Sequence, residues 1–334
     1  MILITGATGL SGAHLTLHLL RQGEAVRALY RTPESRQKTK NLFDQYGEGD
    51  LFERIDWHQA DILDIPALEG AFVNVSTVYH CAAVISFNRE DEELLRKVNI
   101  EGTANMVNLS LAHGVRQFCH MSSVAAIGDP IVPGGEITEE CEWNPAVHYH
   151  DYAISKFGGE MEVWRGFQEG LGCVIVNPGI IIGPGFWGSG SGQLFSSVAG
   201  GLKFYTHGVT GYIGVWDVVR SMHALTERKI SGERYILVAE NLSYKQIITE
   251  IALRMNVKKP DVFAHPWLTE LGWRLDWLLS VFGKKRKLSK EAARSLHKVS
   301  IYSSAKIQKE LSVSFEPVSD VVQQTVTLQK GMLP

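Results

Sequence analysis

The sequence has 334 residues, of which 45% are hydrophobic and 21% charged, and its formal net charge is −3. This balance excludes a disordered chain and gives no reason to expect nucleic acid or an anionic membrane as the main partner. The four cysteines, Cys81, Cys119, Cys141 and Cys173, lack metal-ligand spacing, so we expect reduced thiols and no metal site. The first apolar run starts at residue 2 and leaves no room for a leader, which predicts a cytoplasmic protein without a transmembrane segment.

A glycine-rich turn lies near the start of the chain, between a strand pattern and a helix pattern. Ile2–Ile4 is typical of a buried parallel strand, and Gly6, Gly9 and Gly12 then open a helix over Ala13–Gln22. The unpaired N–H groups of a helix start stabilise an anion, and small residues let a pyrophosphate approach the backbone. The spacing differs by one residue from the common G-x-G-x-x-G pattern, and a plain strand-to-helix turn is the alternative interpretation.

Short apolar runs then alternate with helical patterns, notably over Glu92–His113 and Tyr152–Glu169. The further strand-like runs are Ala25–Tyr30, Ile55–Gln59, Thr77–Cys81, Phe118–Met121 and Cys173–Val176. This alternation predicts an α/β fold of the Rossmann type, a doubly wound parallel sheet with ligands at the carboxyl ends of its strands.

The alternating pattern of the sequence ends at about Pro178, and the glycine-rich loop Gly183–Gly192 follows. We expect a dinucleotide-binding domain over residues 1–180, with a returning segment at about 212–240 in which Arg234–Val238 forms one more strand. Residues 181–211 and 241–334 would form a smaller C-terminal substrate-binding domain.

Residues just past the second strand bear on the choice of cofactor. NAD-selective folds usually carry an acidic residue there, whereas this chain has Tyr30 and Arg31. An arginine can hold a 2′-phosphate, so the sequence favours NADP(H), with NAD(H) as the alternative. Arg31 could instead be a solvated loop residue, with Arg27 or Arg36 in its place. Asp61 could accept a hydrogen bond from the adenine amino group, or could only shape a turn.

A tyrosine and a lysine four residues apart, Tyr152 and Lys156, carry the expected chemistry. They lie one above the other on a helix, so the ammonium favours the phenolate and the pair can exchange a proton with a carbonyl oxygen. The same spacing recurs in Tyr302–Lys306, which has no strand ending in serines nearby. We interpret that second match as a surface coincidence.

Several motifs together resemble those of the extended short-chain dehydrogenase/reductases. They are Thr5–Gly12, Asp61-Ile62, His80–Ala83, Val98–Thr103, Met121–Val124, Tyr152-x-x-x-Lys156, Asn177–Gly185 and Val215–Asp217. The resemblance implies that Ser123 binds the substrate oxygen, Tyr152 is the acid or base, and Lys156 also holds the nicotinamide ribose. Asn99 would order its helix and a proton-relay water, or be a structural asparagine. The nucleotide contacts it implies are Gly6, Thr8, Gly9, Leu10, Gly12, Arg31, Asp61, Ile62, Ala82, Ala83, Tyr152, Lys156, Pro178 and Gly179.

Within that family the chain resembles the dihydroflavonol-reductase-like branch, because it lacks residues that sugar-nucleotide members carry. Asn177 and Ile180 replace an Arg-x-x-Asn pattern, and Thr210 stands where those members place an arginine. We expect NADPH-dependent reduction of a small-molecule ketone or aldehyde. A nucleotide-sugar epimerase or dehydratase and a non-catalytic NADP sensor are the alternatives.

Aromatic residues suggest an apolar or aromatic substrate, with core packing as the plain alternative for each of them. The substrate candidates are Phe186, Trp187, Tyr205 and Tyr212, with Phe204 beside them. The segment 265–287 combines apolar residues at helical spacing with the basic run Lys284–Lys287, and would be a lid, a core helix or a membrane-surface helix. The resemblance also suggests a homodimer through the two long helices.

Overall fold

The computed structural model describes residues 1–281 and 289–330 of the chain. In chain order its strands are β1 (Ile2–Thr5), β2 (Val26–Tyr30), β3 (Asp56–Gln59), β4 (Thr77–His80), β5 (Gln117–Met121), β6 (Cys173–Pro178), β7 (Ile180–Ile182), β8 (Phe204–Tyr205), β9 (Val209–Gly214), β10 (Glu233–Leu237), β11 (Glu240–Ser243) and β12 (Val262–Phe263). Its α-helices are α1 (Leu10–Arg21), α2 (Pro33–Gln45), α3 (Gly49–Phe52), α4 (Ile65–Ala71), α5 (Glu92–Arg96), α6 (Gly102–Ala112), α7 (Asp151–Gln168), α8 (Gly192–Ala199), α9 (Val215–Glu227), α10 (Tyr244–Met255), α11 (Pro266–Val281), α12 (Lys290–Ser295), α13 (Ala305–Leu311) and α14 (Val318–Lys330).

Seven strands form a parallel central sheet in the order β10-β6-β5-β4-β1-β2-β3. The run from β3 to β6 has the order of a doubly wound dinucleotide-binding fold, which confirms the predicted α/β class. β10 pairs with β6 from Glu233 opposite Val174 to Leu237 opposite Pro178, so the strand expected at 234–238 does return to this sheet. The carboxyl ends of the strands therefore meet along one edge.

Both faces of the central sheet are covered by helices. Neighbouring residues in a strand point to opposite faces, and Leu3 and Ile4 accordingly belong to two different core clusters. One cluster contains Leu15 and Leu19 of α1, and the other contains Val107 of α6, all fully or almost fully buried. Each such aliphatic side chain contributes about 1.5–3 kcal/mol by leaving water, so these two layers fix the sheet and its edge.

The C-terminal part of the chain builds a second, smaller layer. β9 pairs antiparallel with β11 and parallel with β7, and a separate core joins this sheet to α8, α10 and α14. The returning segment therefore divides, since β9 lies in the small sheet and only β10 rejoins the large one.

Helix α11 presents apolar side chains to solvent. Trp267, Leu271, Leu275 and Leu278 are between 46% and 66% exposed and share one face of the helix. This exposure contradicts the interpretation of the segment as a core helix. The basic run Lys284–Lys287 lies outside the described residues. In the described part of the chain, no helix combines the length and the apolarity needed to cross a membrane.

The helix expected over 92–113 is interrupted in its first half. A π-helical turn, Lys97–Glu101, joins α5 to α6 and contains the buried Asn99. At this turn α7 comes very close, because a Cβ on Gly159 would lie 2.6 Å from the Asn99 carbonyl oxygen. Such π-turns are rare and often mark functional sites.

Candidate active site

The first turn of the sheet forms a cradle of backbone atoms. Gly6 has φ +68, and a Cβ there would lie 2.7 Å from the Ala82 backbone nitrogen. A Cβ on Gly12 would lie 2.2 Å from the Gly6 carbonyl oxygen. Helix α1 starts after Gly9 with no side-chain cap and no acidic residue in its first turn. Its first N–H groups are thus available to an anion, as the diphosphate of a dinucleotide requires.

The other residues expected to contact the nucleotide lie around this cradle. Ala82 and Ala83 follow β4, and the Ala82 N–H donates to the Thr5 hydroxyl at 3.0 Å. Pro178 ends β6, and a Cβ on Gly179 would lie 2.4 Å from a neighbouring carbonyl oxygen. Small residues therefore line the strand ends where a cofactor would lie, together with the half-buried Thr8 and Leu10 of the glycine turn.

Arg31 and Asp61 face each other at the ends of β2 and β3. Their nearest side-chain atoms, Nη1 and Oδ2, are 3.9 Å apart, and the Arg31 side chain is 69% exposed. Asp61 also accepts the Leu63 N–H at 3.0 Å, so it does shape the turn that was its alternative role. Ile62 is buried against Gly102 of α6.

The two other arginines near β2 differ in their surroundings. Arg27 is committed to structure, since it donates to the Asp56 carboxylate and to the Ala71 and Val73 carbonyl oxygens. Arg36 stacks on the rings of Tyr30 and Trp57 at 5.2 and 5.1 Å. Arg36 therefore remains a second cation beside Arg31, whereas Arg27 does not.

Tyr152, Lys156 and Ser123 come together at the carboxyl end of β5. Helix α7 begins one residue before Tyr152 and is capped by His150, which accepts the Ala153 N–H. The Ser123 hydroxyl lies close enough to the Tyr152 phenol to favour the phenolate form. Lys156 Nζ donates to the Met121 carbonyl oxygen at 2.8 Å, so the last residue of β5 holds the amine in place.

Burial dominates the electrostatics of this trio. It raises the pKa of Tyr152, and the nearby Ser123 hydroxyl only partly opposes this rise. The expectation that Lys156 would make Tyr152 more acidic is wrong for this arrangement, because the phenol is desolvated and the amine is bound to a carbonyl. Burial also lowers the pKa of Lys156 to about 8. Tyr152 thus keeps its proton at neutral pH and can act as an acid.

The two adjacent serines have different surroundings. Ser123 is half-buried, and its Oγ accepts the Ala125 N–H at 3.1 Å at the start of a short 3₁₀ turn, Val124–Ala126. Ser122 is buried near Glu160, and its hydroxyl has no hydrogen-bond partner among the described residues. Of the two, Ser123 is the serine beside the phenol.

The Asn99 side chain connects three segments by hydrogen bonds. Its side chain accepts the Val84 N–H and donates to the Val84 carbonyl oxygen and the Ser155 hydroxyl. It ties the loop after β4 to the π-turn and to α7. The Asn99 carbonyl oxygen also accepts a hydrogen bond from the Thr103 hydroxyl. These contacts are those of a structural asparagine.

Sequence reasoning missed two groups that border the trio. Phe87 and His150 lie beside Tyr152, with ring centroids 5.7 and 6.1 Å from its ring. The buried Glu160 follows Lys156 by one further helical turn. The position of Phe87 in the loop after β4 and the repeated four-residue spacing on α7 were the available signals.

The aromatic residues expected to line a substrate pocket do not converge. Tyr212 is fully buried in the small core, and Phe186 packs with Ala13 and Leu42 behind the glycine turn. The structure places these two in the core, because β9 and the loop after β7 turn them inward. Trp187 packs on Phe195, and Tyr205 contacts His207 and Phe263, away from Tyr152 in the contacts described.

The second tyrosine–lysine pair is structural, and the expectation of a surface coincidence is wrong for its tyrosine. Tyr302 forms a β-bridge with Ile137 and packs against a small apolar cluster. Lys306 pairs with Glu233 at 2.7 Å. A partly buried tyrosine in a β-bridge and a lysine in an ion pair therefore share the spacing without sharing a site.

Comparison with known proteins agrees with the geometry of the site. A sequence model of the NAD-dependent epimerase/dehydratase family matches residues 2–237. The chain belongs to this family. Members of the epimerase/dehydratase family are NAD(P)-dependent enzymes, including reductases, epimerases and dehydratases. The match confirms the resemblance to extended short-chain dehydrogenase/reductases and the expectation of an NAD(P)-dependent enzyme.

Relatives with several activities are similar to this epimerase/dehydratase chain. Sterol demethylase protein B of Methylococcus capsulatus is 34% identical over 248 residues, which cover 74% of this chain and 72% of that protein. A putative dihydroflavonol 4-reductase of Synechocystis is 28% identical over 93% of this chain and 89% of its own length. Cinnamoyl-CoA reductase 1 of Petunia hybrida is 26% identical over 75% of this chain and 76% of its own.

Solved structures are similar to this chain over its whole length. The crystal structure of gox2253 is 28% identical, with a TM-score of 0.83 that covers 100% of this chain and 99% of that one. UDP-glucose 4-epimerase of Thermotoga maritima, at 19% identity, has a TM-score of 0.80 over 100% of this chain and 99% of its own. The second likeness establishes the shared fold alone.

Proposed function

We propose that this protein is an NADPH-dependent reductase that converts a ketone or aldehyde to an alcohol. The observation that carries the proposal is the meeting of Ser123, Tyr152 and Lys156 at the strand ends beside the glycine cradle. A hydroxyl, a protonated phenol and an amine at one place are what the reduction of a carbonyl oxygen requires.

Each of the three side chains has a distinct task in this proposal. When bound, NADPH supplies a hydride to the carbonyl carbon. Ser123 donates a hydrogen bond to the carbonyl oxygen, and Tyr152 transfers its phenolic proton to that oxygen as it becomes an alkoxide. Lys156, protonated below its pKa of about 8, holds the nicotinamide ribose. Asn99 keeps the loop after β4 next to α7.

Preference for NADPH over NADH is proposed on the positions of two arginines. Arg31 is exposed at the end of β2, and Arg36 lies over Tyr30 at the start of α2. A 2′-phosphate placed between them would gain charge-assisted hydrogen bonds that a ribose hydroxyl lacks. Asp61 would meet the adenine from the other side.

The substrate proposed for the site is an apolar or aromatic carbonyl compound. Phe87 and His150 border Tyr152, and burial lowers the pKa of His150, so this part of the site is uncharged at neutral pH. Relatives are named for a sterol, a dihydroflavonol and a cinnamoyl thioester, which supports ring-bearing substrates. Asn177 donates to Glu160 inside the protein instead of turning to a ligand.

A panel of ketones and aldehydes, monitored by the loss of NADPH absorbance, tests the proposal. We expect turnover with at least one apolar carbonyl compound and identification of the matching alcohol. Binding of NADPH without turnover across the panel would favour a sensor. Conversion of a nucleotide sugar with a tightly held, recycled cofactor would show an epimerase instead.

A further inference from the structure

Helix α7 carries a third ionisable residue on the same face as Tyr152 and Lys156. Glu160 lies four residues after Lys156, and side chains at this spacing lie one above the other. Lys156 is 3% exposed and Glu160 is 0% exposed. A buried carboxylate is costly unless it is paired and hydrogen-bonded, so its presence beside the lysine needs a physical reason.

One oxygen of the Glu160 carboxylate is hydrogen-bonded, and the other lies near an arginine. Oε1 accepts a hydrogen bond from Asn177 Nδ2 at 2.5 Å, and Oε2 lies 3.6 Å from Arg234 Nη1. Arg234 makes its shorter contacts with the carbonyl oxygens of Glu139 and Cys141 at 2.6–3.1 Å. The arginine is therefore bound mainly to a loop, and its ion pair with Glu160 is the longer contact.

We propose that Glu160 is a positioning residue that acts through Lys156, as the buried counter-charge that keeps the lysine protonated beside Tyr152. The inference rests on the role of Lys156 in the proposed function. Asn177 would orient the carboxylate through its hydrogen bond to Oε1, and the four-residue spacing along α7 places Glu160 one helical turn after Lys156.

The charges that face Lys156 from each neighbouring element favour this assignment. On β4, burial lowers the pKa of His80 to about 3, and on β5 it lowers the pKa of His120, so both imidazoles are neutral at pH 7. Burial raises the pKa of the Cys81 thiol, which stays protonated. Two groups oppose the effect of burial on the Lys156 pKa, Glu160 first and Cys81 second. Because the Cys81 thiol stays protonated, Glu160 is the one that carries a charge.

The ionisation of Glu160 itself is the quantity on which the assignment depends. Burial raises its pKa, and Ser122, Arg234, Asn177 and Lys156 each lower it. Three of these four partners lie on other elements, namely the end of β5, β6 and β10. The fold thus brings together several polar and charged groups whose common effect is to favour a carboxylate at this buried position.

Nuclear magnetic resonance on the full-length protein with labelled lysine side chains tests the proposal. The Lys156 signal is assigned by its loss in Lys156→Arg, and its titration is measured in the wild type and in Glu160→Gln. We expect the Lys156 pKa to fall by about one pH unit or more in E160Q, because the variant removes a buried opposite charge one helical turn away on α7. An unchanged Lys156 pKa would overturn the proposal.

Asp217 provides the matched control. It is also a buried helical carboxylate, paired with Arg220 at 2.7 Å, but it lies on α9. We expect D217N to leave the Lys156 titration unchanged. An equal shift of the Lys156 pKa in D217N and E160Q would mean that the loss of any buried negative charge has this effect. That result would contradict a specific role for Glu160.

A second measurement uses only the wild-type protein, so it does not depend on the folding of a Glu160 variant. Titration of the labelled Glu160 side-chain carboxyl carbon in the wild type should show a carboxylate at pH 7, and a protonated acid at that pH would overturn the proposal. Neither titration needs a substrate, so an inactive carbonyl panel would count against the proposed reductase and leave this inference to its own result. With an active substrate, the alkaline limb of the kcat profile should move to lower pH in E160Q.

Discussion

Replacing Arg31 with alanine should weaken NADPH binding and leave NADH binding nearly unchanged. A hydrogen bond to a charged group contributes about 1.5–3 kcal/mol. Arg31 is 69% exposed and faces Asp61 at 3.9 Å, so solvent and the carboxylate both reduce its attraction for a phosphate. We therefore take the lower end, about 1.5 kcal/mol, which corresponds to roughly a tenfold rise in the Kd for NADPH.

Titration of intrinsic tryptophan fluorescence with NADPH and with NADH measures both affinities. Arg116→Ala is the control, because Arg116 is exposed just before β5, at the opposite edge of the sheet. Arg36→Ala should act in the same direction as R31A. Equal losses of NADPH and NADH affinity in R31A would refute the contact with the 2′-phosphate.

Two further predictions concern the glycine cradle and the buried histidine of α1. Gly12→Ala should lower the Tm and abolish the stabilisation by NADPH in thermal unfolding, because its Cβ would lie 2.2 Å from the Gly6 oxygen, whereas Gly188→Ala, with open space around it, should do neither. Burial lowers the pKa of His14 from 6.5 to about 4. The unfolded chain takes up this proton first, so stability is lost as pH falls from about 6.5 to 4, by about 1.4 kcal/mol per pH unit. Denaturant titrations at several pH values should show that the free energy of unfolding falls less steeply with pH in His14→Phe than in the wild type. The same pH dependence in both proteins would contradict the role of His14.

The fold was predictable because its signals are local and repeated. The apolar run at 55–59 predicted a strand that the structure has at Asp56–Gln59, and the predicted helix 152–169 is α7, Asp151–Gln168. Each run is bounded by turns, and alternation with helices leaves few topologies for the sheet. The small sheet was not predicted, because the pairing of β9 with β11 depends on contacts that no local pattern encodes.

The site was predictable only in part, for a related reason. The spacing of Tyr152 and Lys156 and the preceding serines point to one cleft, and the structure brings them together. The same spacing extends to Glu160, but most helical glutamates lie on a solvated face, so the sequence gives no sign of its burial. Nor does a sequence show which way an aromatic side chain turns, and Tyr212 turns inward.

Turnover of the Tyr152→Phe variant, compared with Tyr302→Phe, tests the central claim most directly. Both changes remove one hydroxyl from a tyrosine in a Tyr-x-x-x-Lys pattern, but only Tyr152 lies beside Ser123. We expect Y152F to lose at least about 100-fold in kcat, as the loss of a proton donor requires, while it binds NADPH as the wild type does and Y302F stays active. Full activity in Y152F would contradict the account.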